Sequence, residues 1–585
     1  LEKLLPYINE NFTLLVPNLR TKDAIISQYL ESRKQRVSAT PKIWPVDIFI
    51  KHQWELNART SIEPCCNLQL ISAEEELLIW NEVVETSMES APLLNPEETA
   101  NAASHSYRLA RQWLDNEVLK QEISPNSSIK DIAVFSEWIK RYKKHCQEQQ
   151  LISLVDATRT LINVILKNGL VKPSNKVVLV NFFNPPPLYQ KFFAVLPEST
   201  EIFTTSSEAG SCARFKTIME FQSQDSEVHH CALWVERILK MSPNVHIGIV
   251  TGDKASTRSK LELALKNVFA SEHLFSNSLQ HVLFNTTSND RNLLDSALIY
   301  DALLILSLGI DQYDTNDIIR LLQSPFFNLN QNVNPEENKE ICISISANLR
   351  QWAKPNISSR ELLYFIESQD EAFNSKILAS QLVNLRTKIR KIKNQGTPLQ
   401  WSRLFEETLA DFGWPGKSLV SGEDHLKRQW QDLLTKFSTS STNVPRLKLP
   451  SALTKLRLLA KKTLQTNHFD ASLPISYFSI NEAVGLEFEY VWMLGIDDQH
   501  WPEPVNPSPF LPYSLQKELN IPGSHSEVQL NSARAYFQQL LTSTKTAVLA
   551  SYHKSDGEQE FRPSSFLLDF DLKTTDNDAT QLLSN

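Results

Sequence analysis

The sequence predicts an α/β fold built on parallel sheets. Short apolar runs rich in β-branched residues, such as Val177–Val180 and the run 246–252, predict buried strands. Long segments with helical periodicity separate these runs, and alternating strands and helices are typical of parallel sheets. At 585 residues the chain is too long for one hydrophobic core, so we expect three or four compact units.

The segment 474–512 contains the clearest pair of strands. Ile475–Ser479 and the run 490–494 are β-branched and aromatic, which predicts two buried strands. Between them lies the sequence Gly-Leu-Glu-Phe, beginning at Gly485. Glycine at such a corner suits a backbone that turns tightly and lies close to another group.

This segment carries a family resemblance. Residues 479–495, S-I-N-E-A-V-G-L-E-F-E-Y-V-W-M-L-G, resemble motif V of superfamily 1 DNA helicases. Residues 474–568 resemble more narrowly the AddB/RecC-like inactivated-helicase DNA-repair proteins of bacteria, through W-P-E-P-V-N-P-S-P-F-L-P and the later P-S-S-F-L. Two side chains depart from the helicase pattern, since Asn481 replaces a histidine and Val484 a lysine. The resemblance implies two RecA-like α/β domains.

We therefore expect two degenerate RecA-like domains, each interrupted by a largely helical insertion. The expected boundaries are residues 1–58 and 166–205 for the first domain, 59–165 for its insertion, 206–291 and 471–570 for the second domain, 292–470 for its insertion, and 571–585 for a mobile polar tail. In the resembling family a PD-(D/E)xK nuclease domain follows this tail. The nearest match to that nuclease signature here, residues 337–339, is expected in a polar loop and not at a metal site.

The nucleotide-binding machinery of a helicase is missing from the sequence. The first strand–loop–helix unit spans a strand at 12–16, a loop at 17–22 and a helix at 23–34, and the loop contains no glycine to cradle phosphates. Gly416 lies in the nearest approximation to a phosphate-binding loop, and we interpret it as a turn glycine.

Aligned with the helicase motifs, five positions have lost their chemistry. Asn181 replaces the Mg²⁺-binding aspartate, Phe182 the catalytic glutamate, Gly252 a phosphate-binding arginine, Val484 the motif V lysine and Ser543 the arginine finger. An amide lacks the anionic charge that Mg²⁺ prefers, and a phenyl ring cannot orient water. We expect no ATP hydrolysis and no catalytic residue in this chain.

Composition bounds the other possibilities. The net charge of −8 is not typical of a chain that coats nucleic acid, so any contact would rely on local patches. Lys140, Arg141, Lys143 and Lys144 form one basic cluster, and Arg386, Arg390 and Lys393 share a helical face; both clusters could equally be solvated surfaces.

The six cysteines show no metal-binding spacing, and we expect neither a metal nor another cofactor. No apolar run is long enough for a bilayer, so we expect a cytoplasmic protein without membrane contact.

Our leading hypothesis is the non-catalytic, helicase-like part of a bacterial DNA repair or end-processing exonuclease. Its expected partners are single-stranded or unwinding DNA and an AddA/RecB-like helicase–nuclease subunit. Cationic, polar and aromatic side chains typically line single-strand channels; the candidates here are Asn18, Arg20, Asn481, His500, Trp501 and Arg534. For Trp501, a core position beside Pro502 is an equally good interpretation. The alternative function is a protein-interaction scaffold that binds no DNA.

Overall fold

The computed structural model divides the chain into two compact units. Unit 1 comprises residues 1–287 and 467–585, and unit 2 comprises residues 288–466. The residues that the structure describes are 4–32, 40–87, 95–115, 118, 121–123, 129–169, 176–182, 184–196, 200–202, 215–243, 245–252, 254–269, 284–286, 292–328, 335–352, 354–367, 376–392, 395–416, 423–439, 446–463, 465, 473–557, 559–568 and 571–574.

Unit 1 contains two main parallel sheets, as the sequence predicts, and two short strand pairs, Gln69–Leu70 with Leu151–Ile152 and Ser555–Asp556 with Gln559–Glu560. The first sheet has four strands: β1 (Thr13–Val16), β2 (Ile43–Pro45), β3 (Val177–Val180) and β4 (Thr200–Ile202). Their order across the sheet is β2-β1-β3-β4, and every neighbouring pair is parallel. Residues 73–168 are mainly helical and separate β2 from β3 along the chain.

The second sheet has seven strands. They are β5 (Phe215–Phe221), β6 (Ile247–Thr251), β7 (Phe284–Thr286), β8 (Ile475–Ser479), β9 (Phe488–Leu494), β10 (Thr544–His553) and β11 (Asp571–Thr574). The order is β11-β5-β10-β9-β6-β8-β7, again with every neighbouring pair parallel. Because all strands run the same way, the loops after them gather at one edge of the sheet, the usual place for a ligand.

Helices cover both sheets and form most of unit 2. Those of unit 1 are Leu5–Asn9, Leu19–Ser32, Val46–Arg59, Ala73–Ser87, Pro96–Trp113, Lys130–Glu148, Leu154–Asn168, Pro187–Ala194, Gln224–Met241, Lys254–Phe269, Ile480–Ala483, Tyr513–Glu518 and Ser526–Ser543. Those of unit 2 are Ala297–Ser307, Thr315–Leu322, Pro335–Trp352, Ser359–Glu367, Lys376–Lys391, Pro398–Asp411, Glu423–Thr439 and Leu449–Lys462. Within the described residues, no helix has the length and apolar character needed to cross a membrane.

The central strands of the second sheet are buried on both faces, which explains why β6 and β9 are mostly apolar. Residues of β8 and β9 alternate between two cores. Phe478, Val491 and Met493 pack on one side with the Ser526–Ser543 helix, whereas Tyr477 and Trp492 pack on the other with the Gln224–Met241 helix.

The helical segment after β2 has an aromatic core of its own. Trp80 stacks on Tyr142 with ring centroids 4.6 Å apart, and Tyr107 meets the Tyr142 ring at 5.2 Å. Phe510, from the proline-rich loop after β9, stacks on Phe135 of this core at 5.2 Å. The proline-rich loop after β9 of the second sheet therefore packs on the helical segment that lies between β2 and β3 of the first sheet.

Several expectations about domain organisation and local structure are wrong. The chain divides into two compact units and not three or four, and the Leu19–Ser32 helix begins four residues before its predicted start at 23. The predicted boundary at 165 falls within the Leu154–Asn168 helix, which packs on both sides: Leu161 and Ile165 share a core with Leu179 of β3, and Val155 packs in the core of the predicted insertion. The tail is not mobile throughout, since Asp571–Thr574 pairs with β5; its remainder lies outside the described residues. Residues 337–339 lie in the Pro335–Trp352 helix and not in a loop.

Candidate nucleic-acid interface

At the carboxyl edge of the second sheet, β8 is followed directly by the short Ile480–Ala483 helix that carries Asn481. Ser479 ends β8 and starts this helix in a capping box with Glu482, whose carboxylate accepts a hydrogen bond from the Ser479 backbone at 3.1 Å. Asn481 is exposed, and its amide donates to Glu503 Oε1 at 2.8 Å. Asn481 is thus presented to solvent by a rigid turn, with one known carboxylate partner.

His500 lies in the loop after β9, held by a fully buried carboxylate. Asp497 accepts from the backbone N–H of Gln499 and of His500, both at 2.9 Å, and the His500 Nδ1 lies 2.9 Å from both carboxylate oxygens. The His500 side chain remains 36% exposed, and its ring lies 5.6 Å from that of Phe561. Its orientation is therefore fixed from beneath while part of the ring faces solvent.

Trp501 is a core residue. It is only 2% exposed and packs with Val491, Met493 and Phe537. Its carbonyl accepts a hydrogen bond from Ser564 Oγ at 2.7 Å. A base cannot stack on a ring in this position, so the prediction that Trp501 contacts DNA is wrong and the core interpretation holds.

Arg534 is exposed on the Ser526–Ser543 helix. The neighbouring Ala533 packs in the same core as Ile480 and Ala483 of the short helix beside Asn481. The short helix of Asn481 and the loop of His500 therefore lie at the carboxyl edge of this sheet, and Arg534 lies midway along a helix that packs against the short helix.

The two candidates in the first domain lie at the start of the Leu19–Ser32 helix. Asn18 precedes the helix, and its side-chain oxygen accepts hydrogen bonds from the Thr21 backbone at 2.9 Å and the Thr21 hydroxyl at 3.1 Å. Asn18 is thus a helix cap. Arg20 lies in the first turn, but its side chain is outside the described residues.

The two sheets meet at Asn181, the residue that the family resemblance aligns with a Mg²⁺-binding aspartate. Asn181 follows β3 directly, is only 3% exposed and has a left-handed backbone (φ 57°). Its amide nitrogen makes a long hydrogen bond of 3.5 Å to the carbonyl of Gly485, from the loop after β8. A Cβ on Gly485 would lie 2.5 Å from this nitrogen, so only glycine fits there without displacing Asn181.

Three other residues that depart from the helicase motifs, Phe182, Ser543 and Val484, have structural roles in this chain. Phe182 is 9% exposed and packs edge-on against Phe193 at 4.8 Å. Ser543 is buried, and its hydroxyl donates to the Leu540 carbonyl at 3.0 Å. Val484 is half-buried and ends the short helix in an extended conformation.

Gly252 is closed in by the loop after β9. A Cβ at this position would lie 3.1 Å from the Gly495 carbonyl oxygen and 3.5 Å from that of His500. An arginine at 252 would need this loop to move. Backbone atoms therefore close in the position that the family resemblance aligns with a phosphate-binding arginine.

A buried polar network connects the Gln224–Met241 helix to this edge of the sheet. Glu227, only 1% exposed, accepts from the Gly495 N–H at 2.8 Å, from Ser551 Oγ at 2.5 Å and from His553 Nδ1 at 3.0 Å. Trp492 Nε1 donates to Ser551 Oγ at 2.8 Å. The only local signal of this network is a glutamate among the apolar positions of a helix.

Among the described residues, no group of three or more His, Cys, Asp or Glu side chains is arranged to hold a metal. Gly416 has φ 91° in a turn of unit 2, which confirms its interpretation as a turn glycine. A search of protein-family models found no match to the chain, and no curated protein matches it significantly.

Proposed function

We propose that this chain is the non-catalytic, helicase-like DNA-binding portion of a bacterial DNA repair or end-processing exonuclease, and that it guides single-stranded DNA toward a nuclease. In this proposal the protein acts in the cytoplasm, in company with an AddA/RecB-like helicase–nuclease subunit. It needs neither ATP nor a metal for its own part in the process.

One observation carries the proposal. The chain retains two parallel sheets whose ends meet, but core and turn residues occupy the positions that would handle ATP. Phe182 packs in a core, and Gly252 is enclosed by backbone. Asn481 at this sheet edge and Arg534 on the helix packed beside it remain exposed, and such polar and cationic groups suit a nucleic-acid backbone.

Fluorescence anisotropy with labelled oligonucleotides tests this proposal. We expect Arg534→Glu to weaken single-strand binding by about tenfold or more, because it replaces an attraction to phosphate with a repulsion. Asn481→Ala is expected to weaken binding less, since it removes a neutral hydrogen-bonding group.

Lys240→Glu is a matched control for the charge change. Lys240 is exposed at the end of the Gln224–Met241 helix and pairs with Glu236 at 2.7 Å. It precedes β6 and so lies near the opposite edge of the sheet. Equal losses in Lys240→Glu and Arg534→Glu would indicate a general charge effect and contradict the proposed interface.

A second candidate function is a scaffold that docks a catalytic subunit without binding DNA. The charge of unit 1 favours it: its residues include 36 lysines and arginines and 48 aspartates and glutamates, a net charge of −12. Such a surface repels phosphate over most of its area. Absence of binding to single- and double-stranded oligonucleotides, together with capture of a helicase–nuclease subunit, would favour the scaffold.

A further inference from the structure

Unit 2 differs from unit 1 in the sign of its charge. Residues 288–466 contain 23 lysines and arginines and 19 aspartates and glutamates, a net charge of +4 in a chain whose total is −8. Much of this positive charge lies in two segments, residues 376–393 and 446–462. These segments are far apart in sequence.

Packing around Gly309 brings the two segments together. A Cβ built on this glycine would lie 2.7 Å from Ile389 Cδ1 and 2.6 Å from Leu449 Cδ2, so both side chains contact the same glycine. Ile389 lies in the last turn of the Lys376–Lys391 helix, and Leu449 is the first residue of the Leu449–Lys462 helix. The end of one helix therefore lies beside the start of the other.

A backbone bridge fixes the chain just before Leu449. Gly396 and Leu447 exchange hydrogen bonds of 3.0 and 2.8 Å, and Trp401 Nε1 donates to the Leu447 carbonyl at 2.9 Å. Side chains alternate along an extended backbone, so Arg446 and Lys448 project to the same side of this bridge. Both are exposed.

Four exposed cations result from this arrangement: Arg390 and Lys391 at the end of one helix, and Arg446 and Lys448 before the next. Among the described residues, none of these four is within ion-pair distance of a carboxylate. By contrast Lys388, in the same helix, pairs with Asp411 at 2.7 Å and Glu407 at 3.3 Å. We call these four residues the basic patch.

The first basic cluster of the sequence is different. In the Lys130–Glu148 helix, Arg141 lies 3.6 Å from Glu137, and Lys144 lies 3.8 Å from Glu148. These pairs follow helical i, i+4 spacing and offset one another's charge. This cluster therefore fits the interpretation as a solvated surface, because carboxylates lie among its cations.

We propose that the basic patch binds the phosphate backbone of a nucleic acid. The inference rests on the proposed function and adds a second contact surface, in unit 2, to the sheet edge of unit 1. Like charges brought together by folding repel one another unless an anion lies against them, and a phosphate backbone supplies regularly spaced anions. Arginine forms paired hydrogen bonds with phosphate, and lysine supplies a point charge.

The test uses the full chain with the four cations changed to glutamine (R390Q/K391Q/R446Q/K448Q). Neutral substitutions at exposed positions preserve folding and remove only charge. We expect single-strand affinity to fall at least tenfold at low salt. The slope of log affinity against log salt should become shallower by about 3, since each phosphate contact contributes roughly 0.7. A parallel titration with duplex DNA shows which form the patch prefers.

The matched control is K140Q/R141Q/K144Q/K240Q, which also removes four cations, each of which already has a carboxylate partner, and it should leave the slope unchanged. Wild-type affinity and slope in the patch variant, with the wild type still binding DNA, would overturn this inference and leave the proposed function standing. No DNA binding by the wild type would overturn both. Polyglutamate is titrated in parallel as an acidic polypeptide. If the patch variant loses polyglutamate binding but keeps its DNA binding, the patch is a site for an acidic protein and the inference is overturned.

Discussion

The contact between Asn181 and Gly485 predicts a measurable coupling between the two sheets. Gly485 has φ 86°, and a Cβ there would lie 2.5 Å from Asn181 Nδ2 and 3.1 Å from its Cγ. In Gly485→Ala, the left-handed backbone costs about 1–2 kcal/mol and the overpacking costs about 1–3 kcal/mol more. We therefore expect a loss of about 2–5 kcal/mol in the free energy of unfolding of unit 1.

Gly495→Ala separates these two effects. Gly495 has a similar φ of 64°, but a Cβ there would have no heavy atom within 4 Å. Only the backbone cost of about 1–2 kcal/mol applies. The free energy of unfolding of both variants is measured by urea titration, monitored by tryptophan fluorescence. The difference between their losses gives the free-energy cost of the clash.

A double variant completes the test. Asn181→Gly removes the side chain that the new methyl group would meet, and glycine accepts the left-handed conformation of residue 181. Gly485→Ala should therefore cost about 1–3 kcal/mol less in the Asn181→Gly background. Equal losses for Gly485→Ala and Gly495→Ala, without coupling to residue 181, would refute the contact between the sheets.

Three further predictions concern single positions. Phe182→Glu should lower the free energy of unfolding by about 3–5 kcal/mol, because the ring is buried, whereas Phe182→Leu should lower it by about 1 kcal/mol. Equal urea midpoints for the two variants would contradict this. Trp501→Phe should leave single-strand affinity unchanged in an anisotropy titration while lowering stability, because Trp501 is a core residue; a tenfold loss of affinity would show that it contacts DNA. Burial raises the pKa of Glu76 to about 7, so its protonated form stabilises the fold below pH 4.5 and this contribution is lost as pH rises through 7. Glu76→Gln should remove up to about 3 kcal/mol of that pH dependence, measured by thermal unfolding between pH 4.5 and 8; an unchanged pH profile would argue against a buried carboxyl.

The strands that flank the Gly485 corner could be predicted because their sequences are locally consistent. Ile475–Ser479 matches the predicted strand, and Phe488–Leu494 begins two residues before the predicted start. Both are buried on two faces, and large apolar or aromatic side chains make up most of each strand. The Phe215–Phe221 strand was missed, because Lys216, Thr217 and Glu220 interrupt its apolar pattern.

The candidate site was harder to predict than the fold. Exposure of Asn481 and Arg534 follows from their helices, but burial of Trp501 depends on packing against residues distant in sequence. The same is true of the Glu227 network, which joins a helix to strands more than 250 residues away, and of the basic patch around Gly309. No local pattern reports contacts of this range.

The most direct test of the account measures single-strand binding by the wild-type chain in the presence and absence of ATP and Mg²⁺. Anisotropy of a labelled single-stranded oligonucleotide is followed between about 50 and 200 mM salt, where phosphate contacts weaken steeply. The account predicts binding that weakens with salt, does not change with ATP, and is accompanied by no ATP turnover. Absence of binding at the lowest salt, or ATP turnover stimulated by DNA, would contradict it.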